Sequence, residues 1–177
     1  MLPRRRNDMK YVVAAVLLLT VLGGYLTWFM IVTAAHDPAE WHVDPLTVAA
    51  SDTPNDYRIA LRSLTEERVD TEPPIYAERP LVLAQAFDQF AFSQRDTNRI
   101  AGLPPELMMT YVQYTETLKM PDYLTVKFID LGDGTSTVAI YSRSRFGYGD
   151  MGMNERRAQS WIRSLDGFIA TETAAEN

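Results

Sequence analysis

Between Ile140 and Arg157 the chain places four arginines, three glycines, two serines and one aspartate in eighteen residues. Arg143 and Arg145 are two apart, so on a strand they point the same way, about 6.6–6.8 Å apart. Two guanidiniums so spaced can grip a carboxylate or phosphate through paired hydrogen bonds. Gly147, Gly149 and Gly152 let the backbone turn tightly and expose amides. A helix beginning after them adds donors and the positive end of its dipole. Arg143, Ser144, Arg145, Gly147, Asp150, Gly152, Asn154 and Arg157 therefore make a candidate anion site, with Asp122 reaching it from a neighbouring turn. A second reading of the same residues is structural. Asp122 and Asp150 can accept bonds from Arg143, Arg145 or Arg157, and such a network would pin a helix to a sheet without binding anything.

Other chemistries find less support. Ser142 and Ser144 have no histidine nearby, and Gly-x-Ser-x-Gly is absent. A serine–lysine pair with Lys127 has no supporting spacing. Hydrolysis by paired carboxylates would have to use Asp122 and Asp150. There is no Gly-x-Gly-x-x-Gly and no Walker loop. The only histidines, His36 and His42, are six apart across Pro38, which is no recognised ligand spacing, so they read as solvated or hydrogen-bonding residues. The chain has no cysteine, which rules out disulfides, thiolate metal sites and thiol nucleophiles. No metal and no cofactor are expected.

The elements that must position these residues follow from periodicity. Met108–Lys119, Tyr123–Leu131 and Thr135–Arg145 are rich in Tyr, Thr, Val and Ile and are separated by Pro121-Asp122 and Gly132-Asp133-Gly134. They predict an antiparallel meander. Its alternation puts Val112, Tyr114, Leu118, Leu124, Val126, Phe128, Val138 and Ile140 on a buried face. Tyr111, Gln113, Thr115, Thr117, Tyr123, Thr125, Lys127, Thr137, Tyr141, Arg143 and Arg145 fall on the other. Tyr57–Arg62, Ile75–Ala77 and Arg99–Ala101 read as short strands. Pro80 opens a helix with Leu83, Phe87, Phe90 and Ala91 on one face. A second helix, Asn154–Phe168, is read from the helical spacing of Ala158, Trp161, Ile162, Leu165 and Ile169, with Asp150 or Asn154 as cap. The fold class is α+β: a mostly antiparallel sheet with two helices on one face.

Tyr11–Val32 (YVVAAVLLLTVLGGYLTWFMIV) is 22 residues without a charge. At 1.5 Å per residue it spans about 33 Å, enough for a hydrocarbon core of roughly 30 Å. Arg4, Arg5, Arg6 and Lys10 precede it, and the next basic residue is Arg58. The charge rule then places residues 1–10 in the cytoplasm, a single span at 11–32 in the plasma (inner) membrane, and the rest on the periplasmic side. A cleaved signal peptide is the competing reading, but this apolar run exceeds the usual h-region. Residues 33–56, with Pro38, Pro45 and Pro54, read as a tether, 57–169 as the domain and 170–177 as a disordered tail.

Those four bases are part of 17 and Asp8 is one of 23 acids, so from Thr33 onward 13 basic residues face 22 acidic ones, a net charge of −9. Nucleic acid is excluded as a partner on that balance, as is electrostatic binding to anionic lipid.

The stretches Thr110–Phe128 and Ser136–Leu165 resemble the bacterial family called domain of unknown function 1499. The pattern falls on Arg143, Ser144, Arg145, Gly147, Asp150, Gly152, Asn154 and Arg157, with Pro121-Asp122 before the middle strand. Trp41-His42 and Pro54-Asn55 resemble its membrane-proximal stretch. The chain departs from the pattern at Tyr114-Thr115, where related members carry arginine-serine. The resemblance implies a membrane-associated or exported domain over roughly Trp41–Leu165 and carries no activity with it. The expectation is a single-pass membrane protein whose outer domain binds an anionic small molecule or an envelope protein without catalysis. The alternatives are an envelope hydrolase or transferase using Asp150 with Arg143 and Arg145, and a purely structural part of a membrane complex.

Overall fold

The computed structural model describes residues 5–169. The basic residue Arg4 and the expected tail at 170–177 lie outside them. Two compact units divide at Ala35 and His36.

The first unit is one helix, α1 (Arg5–Val32). Within it Asp8–Val32 is long and apolar enough to cross a membrane, with a mean hydropathy of 2.1 over its 18 most apolar consecutive residues. A signal sequence has the same character.

The second unit is an α+β domain. Its elements are α2 (Pro38–Trp41), β1 (Asp56–Ile59), α3 (Pro80–Ser93), β2 (Thr97–Ala101), β3 (Met108–Tyr114), β4 (Pro121–Gly132), β5 (Thr135–Ser144) and α4 (Met153–Ile162), followed by a 3-10 turn at Arg163–Phe168. The five strands form one antiparallel sheet in the order β1-β5-β4-β3-β2. The expected meander β3-β4-β5 is its centre. β1 and β2 pair onto its two edges. The segment expected as a strand at Ile75–Ala77 contributes only isolated bridges from Tyr76 to Ser136 and Ile169.

Both helices cover one face of the sheet. Leu83 and Phe87 of α3 and Ala158, Trp161 and Ile162 of α4 join Ile59, Met109, Tyr111, Leu124, Val126 and Ile140 in the main core. Phe87, Tyr111 and Trp161 meet ring to ring at 5.5–6.1 Å. Such aromatic contacts add to simple burial.

The face assignment of β3 differs from expectation. Tyr111 pairs with Leu124 and lies in the helix-side core, while Val112 pairs with Tyr123 and packs on the opposite face with Tyr114 and Trp41. Leu118 is outside the strand and exposed. The cause is that both faces of β3 are covered. Its Tyr-Val-Gln-Tyr stretch has apolar residues of both parities, and the alternation that settles a half-exposed strand is missing.

The second face is covered by residues 36–56, which make up most of the stretch 33–56 expected as a tether. Trp41 and Pro45 are buried there. The Trp41 ring stacks on Tyr123 at 3.7 Å and 11°. His42 Nδ1 hydrogen-bonds Thr110 Oγ1, which bonds Thr125 Oγ1, both at 2.8 Å. Lys127 donates to Asp44 at 2.5 Å. Pro38 opens only the one-turn α2, and prolines at 45 and 54 interrupt longer helix or strand, but none of them prevents the segment from packing.

One glycine is fixed by close approach. Gly102 has φ +76°, and a Cβ added there would lie 2.0 Å from the Met108 carbonyl oxygen. Gly102→Ala is therefore expected to cost about 2 kcal/mol or more, from the left-handed backbone and the displaced β3 start together. A urea melt of the two proteins reads this directly; an unchanged midpoint would contradict it.

Candidate functional site

The residues singled out in the sequence divide between the two faces of the sheet. The divide follows from the register: Asp122 pairs with Ser144, and Tyr123 pairs with Arg143. Neighbouring positions on one strand therefore serve opposite layers.

On the helix side Asn154 is fully buried in a polar network. Its Oδ1 accepts from Ser142 Oγ at 2.7 Å and from Arg157 Nη1 at 3.0 Å. Its Nδ2 donates to the Asn55 carbonyl at 2.7 Å and to Ser144 Oγ at 3.0 Å. All four hydrogen-bonding positions of the amide are thus used. Arg157 donates from Nη2 to Asp122 Oδ2 at 2.6 Å and from Nε to Gln113 Oε1 at 2.7 Å. Both charged side chains of that pair are almost fully buried. Asn55 Nδ2 reaches the Gly147 carbonyl at 2.9 Å, which fixes the glycine-rich loop to the segment before β1. Asp150 Oδ1 accepts from the Gly152 amide at 2.9 Å and Oδ2 from the Asn154 amide at 2.6 Å. Asp150 thereby satisfies free amides at the start of α4. This half of the candidate set fastens α4 to β5, β4 and the pre-β1 segment.

Arg143 and Arg145 face the other way. Their guanidinium carbons lie 4.4 Å and 5.4 Å from the Trp41 ring centre. Arg143 also approaches the Tyr141 ring at 5.8 Å and donates to the Glu40 carbonyl at 2.8 Å. No carboxylate forms an ion pair with Arg143 among the described residues. Burial pushes its pKa below the ordinary arginine value, with nearby Tyr141 and Glu40 opposing the shift. Arg145 Nη1 donates to the Tyr123 hydroxyl at 3.2 Å. The buried Trp41 indole N–H has no hydrogen-bond acceptor among the described residues.

His36 completes this face. Its Nδ1 lies 2.6 Å from the Tyr123 hydroxyl and its Nε2 2.6 Å from the Tyr114 hydroxyl. Burial first, and Arg145 second, hold its pKa below the usual 6.5. Below the same sheet face Asp56 accepts from the Ser51 amide (2.8 Å), Tyr141 (2.7 Å) and Arg68 (2.6 Å). Burial alone would raise the Asp56 pKa; these donors outweigh it and hold the pKa below the usual value.

Both shifts have the same sign for stability. In each case the unfolded chain binds the proton more readily, so stability rises with pH across the interval between folded and unfolded pKa. The His36 contribution is complete above 6.5 and is lost as pH falls from there through its lower folded value. The Asp56 contribution follows further into acid, below 3.8. The full chain in detergent is expected to lose melting temperature in two acid steps. His36→Gln should remove the first and keep the second. A single step that is identical in both proteins would contradict this.

Sequence reading reached Arg143, Arg145, Asp122, Asn154 and Arg157, but put them in one site. It missed Trp41, Tyr123 and His36 as one cluster. The signal available was the density of aromatic and histidine residues in His36–His42, which belong with an aromatic strand once the segment packs on the sheet. A cleft of about 420 Å³ is lined by Leu118, Met120, Asp122, Ser144, Phe146 and Asp150 among others.

The family model described as protein of unknown function (DUF1499) matches residues 33–165. No curated protein matches the chain. The matched range begins before Trp41 and ends at Leu165, so it takes in both faces of the sheet.

Proposed function

Since the chain belongs to the family described as protein of unknown function (DUF1499), whose description assigns no activity, we propose a role from geometry alone. The protein is a single-pass membrane protein held by α1, and its domain, outside the plasma membrane, binds an anionic ligand or an acidic partner without catalysis. Arg143 and Arg145, laid on Trp41 beside Tyr123 and His36, are the binding face.

The observation that carries this reading is the setting of Arg143. Its guanidinium is partly desolvated and fixed by one carbonyl and two aromatic rings, and no carboxylate neutralises it among the described residues. A positive charge in that setting gains more from an incoming anion than a solvated one would, because the local dielectric is low and the group is already positioned. The acidic rest of the domain favours a small or locally acidic ligand that reaches this patch, over a broad anionic surface.

The hydrolase or transferase alternative would need Asp150 beside the two arginines. Asp150 instead engages both carboxylate oxygens with amides of the α4 start, and Arg143 belongs to the opposite sheet face. The structural alternative fits Arg157 and Asn154 better than it fits Arg143.

The test is the melting temperature of the full chain in detergent with increasing inorganic phosphate, and separately citrate. A ligand that binds only the folded state raises stability by RT ln(1 + [L]/Kd). The wild type is expected to show a rise with at least one anion that Arg143→Ala/Arg145→Ala does not show. Equal curves for the two proteins would overturn the proposal.

A further inference from the structure

We propose that anion binding at Arg143 and Arg145 is coupled to the uptake of one proton at His36, so that the site takes its anion more tightly in mild acid. The inference rests on the reading that these two arginines bind an anion.

It starts from a chain of hydrogen bonds whose direction is fixed at one end. A guanidinium has donors only, and Arg145 Nη1 lies 3.2 Å from the Tyr123 hydroxyl. The Tyr123 oxygen therefore accepts from Arg145. Tyr123 is only 1% exposed, so its own hydroxyl proton needs an acceptor inside the protein. Among the described residues the acceptor within reach is His36 Nδ1, at 2.6 Å. An accepting Nδ1 puts the proton of neutral His36 on Nε2, which donates to the Tyr114 hydroxyl at 2.6 Å. The bonds thus run in one direction, from Arg145 through Tyr123 and His36 to the half-buried Tyr114.

The opposite tautomer would have His36 Nδ1 and Arg145 both donating to Tyr123, and would strand the tyrosine proton in a buried place. A protonated His36 strands it in the same way and adds a positive charge near Arg145. Both costs oppose protonation in the unliganded protein. They agree with the lowered pKa of His36, which burial causes first and Arg145 second.

An anion on the two guanidiniums relieves both costs. It offsets the charge of Arg145, and it brings acceptor oxygens to the guanidinium that already bonds the Tyr123 hydroxyl. The Tyr123 proton then turns to the anion, and its oxygen accepts from a protonated Nδ1. The other charged groups packed around this chain of bonds are Arg143 of β5 and Glu40 of α2, both of which act on Tyr123, and Asp37, whose carboxylate is engaged with the Ala39 amide at the start of α2. Tyr114 and Tyr123 stay neutral, since burial raises the pKa of each. His42 bonds Thr110 on β3 instead. His36 is therefore the member of the chain of bonds that changes charge in mild acid. Coupling is reciprocal: an anion that raises the proton affinity of His36 is itself held more tightly once His36 is protonated. Affinity rises as pH falls through the interval between the liganded and unliganded pKa values of His36, and levels off below it.

Sulfate is the probe, because its own charge is constant over this range of pH. It is titrated into the full chain in detergent, at fixed ionic strength, at about pH 7.5, 6.5 and 5.5. Kd is read from the Arg143 and Arg145 Nε–Hε resonances, and the His36 ring nitrogens are read in the same samples. The wild-type Kd is expected to fall roughly threefold or more between the extremes, and by no more than about tenfold per pH unit for one proton. Neutral His36 without sulfate should carry its proton on Nε2, and sulfate should move the His36 titration to higher pH. His36→Gln, which cannot take the charge, should bind with a Kd that does not change with pH. If that variant fails to fold, the movement of the wild-type His36 titration decides the matter by itself. A wild-type Kd independent of pH, the same slope in His36→Gln, a His36 titration that sulfate leaves in place, or neutral His36 protonated on Nδ1 overturns the inference and leaves the anion site standing. Sulfate that binds at no pH overturns the inference and the anion reading together.

Discussion

Arg157→Ala is expected to produce the largest loss of stability of any single substitution in the candidate loop and helix. Arg157 makes the buried ion pair with Asp122 at 2.6 Å, bonds Gln113 at 2.7 Å and bonds Asn154 at 3.0 Å. Truncation leaves the Asp122 carboxylate buried without its counter-charge. Breaking one side of a buried pair costs about 3–5 kcal/mol, because the remaining charge has lost both water and partner. In a domain of this size that is a fall of roughly 10–20 °C in melting temperature. Arg157→Ala with Asp122→Asn should recover part of the loss, since the uncompensated charge is gone. A fall of only a few degrees for the single variant would show that solvent reaches the pair and that α4 is not fastened through it.

Trp41→Ala is expected to be the second large effect, and it bears on a segment whose sequence reads as linker. Trp41 stacks on Tyr123 at 3.7 Å, underlies both Arg143 and Arg145, and lends its carbonyl to Thr125 at 3.3 Å. Replacing a buried tryptophan with alanine costs about 3–5 kcal/mol through lost burial and the cavity left behind. The same change removes the surface on which the two guanidiniums lie, so anion binding should go with it. Trp41→Phe keeps a ring against Tyr123 and should lose less on both measures. The readouts are the melting temperature and limited proteolysis within 36–56. If Trp41→Ala melted within about 1 kcal/mol of wild type, as surface changes do, residues 36–56 would be a tether after all.

These two variants also mark where the fold was legible in the sequence. The α+β class, the central meander and both helices could be read because their signals are local. Period-two runs between Pro-Asp and Gly-Asp-Gly turns make β3, β4 and β5, and Leu83 to Ala91 and Ala158 to Leu165 show helical spacing. The core role of Trp161 was visible for the same reason. The Asp122–Arg157 contact was visible only as one of several pairings, because register decides which acid meets which base. What the sequence could not show was the second layer. Residues 36–56 have no period, since apart from the one-turn α2 most of them pack as irregular chain, and their contacts with Thr110, Tyr123 and Thr125 reveal them. That missing layer explains the exchange of Tyr111 and Val112 between faces. It also explains why Arg143 and Arg145 looked like members of one site with Asp122, when the strand alternation sends them to different sides of the sheet.

The same separation gives the candidate residues two different settings. Asn154, Arg157, Asp122, Ser142, Ser144 and Asp150 hydrogen-bond to one another, to Gln113 and to backbone. Arg143 is held by aromatic faces and a carbonyl. A network complete in itself holds the fold. A partly desolvated cation fixed on an aromatic ring is the part proposed to meet a ligand.

The most direct test of that distinction is the movement of arginine side-chain Nε–Hε resonances as inorganic phosphate is titrated into the full chain in detergent. Arg143 and Arg145 are expected to shift together and saturably, while Arg157, closed in its bond to Gln113 and its pair with Asp122, stays in place. Phosphate that left Arg143 and Arg145 unmoved, or moved Arg157 to the same extent, would contradict it.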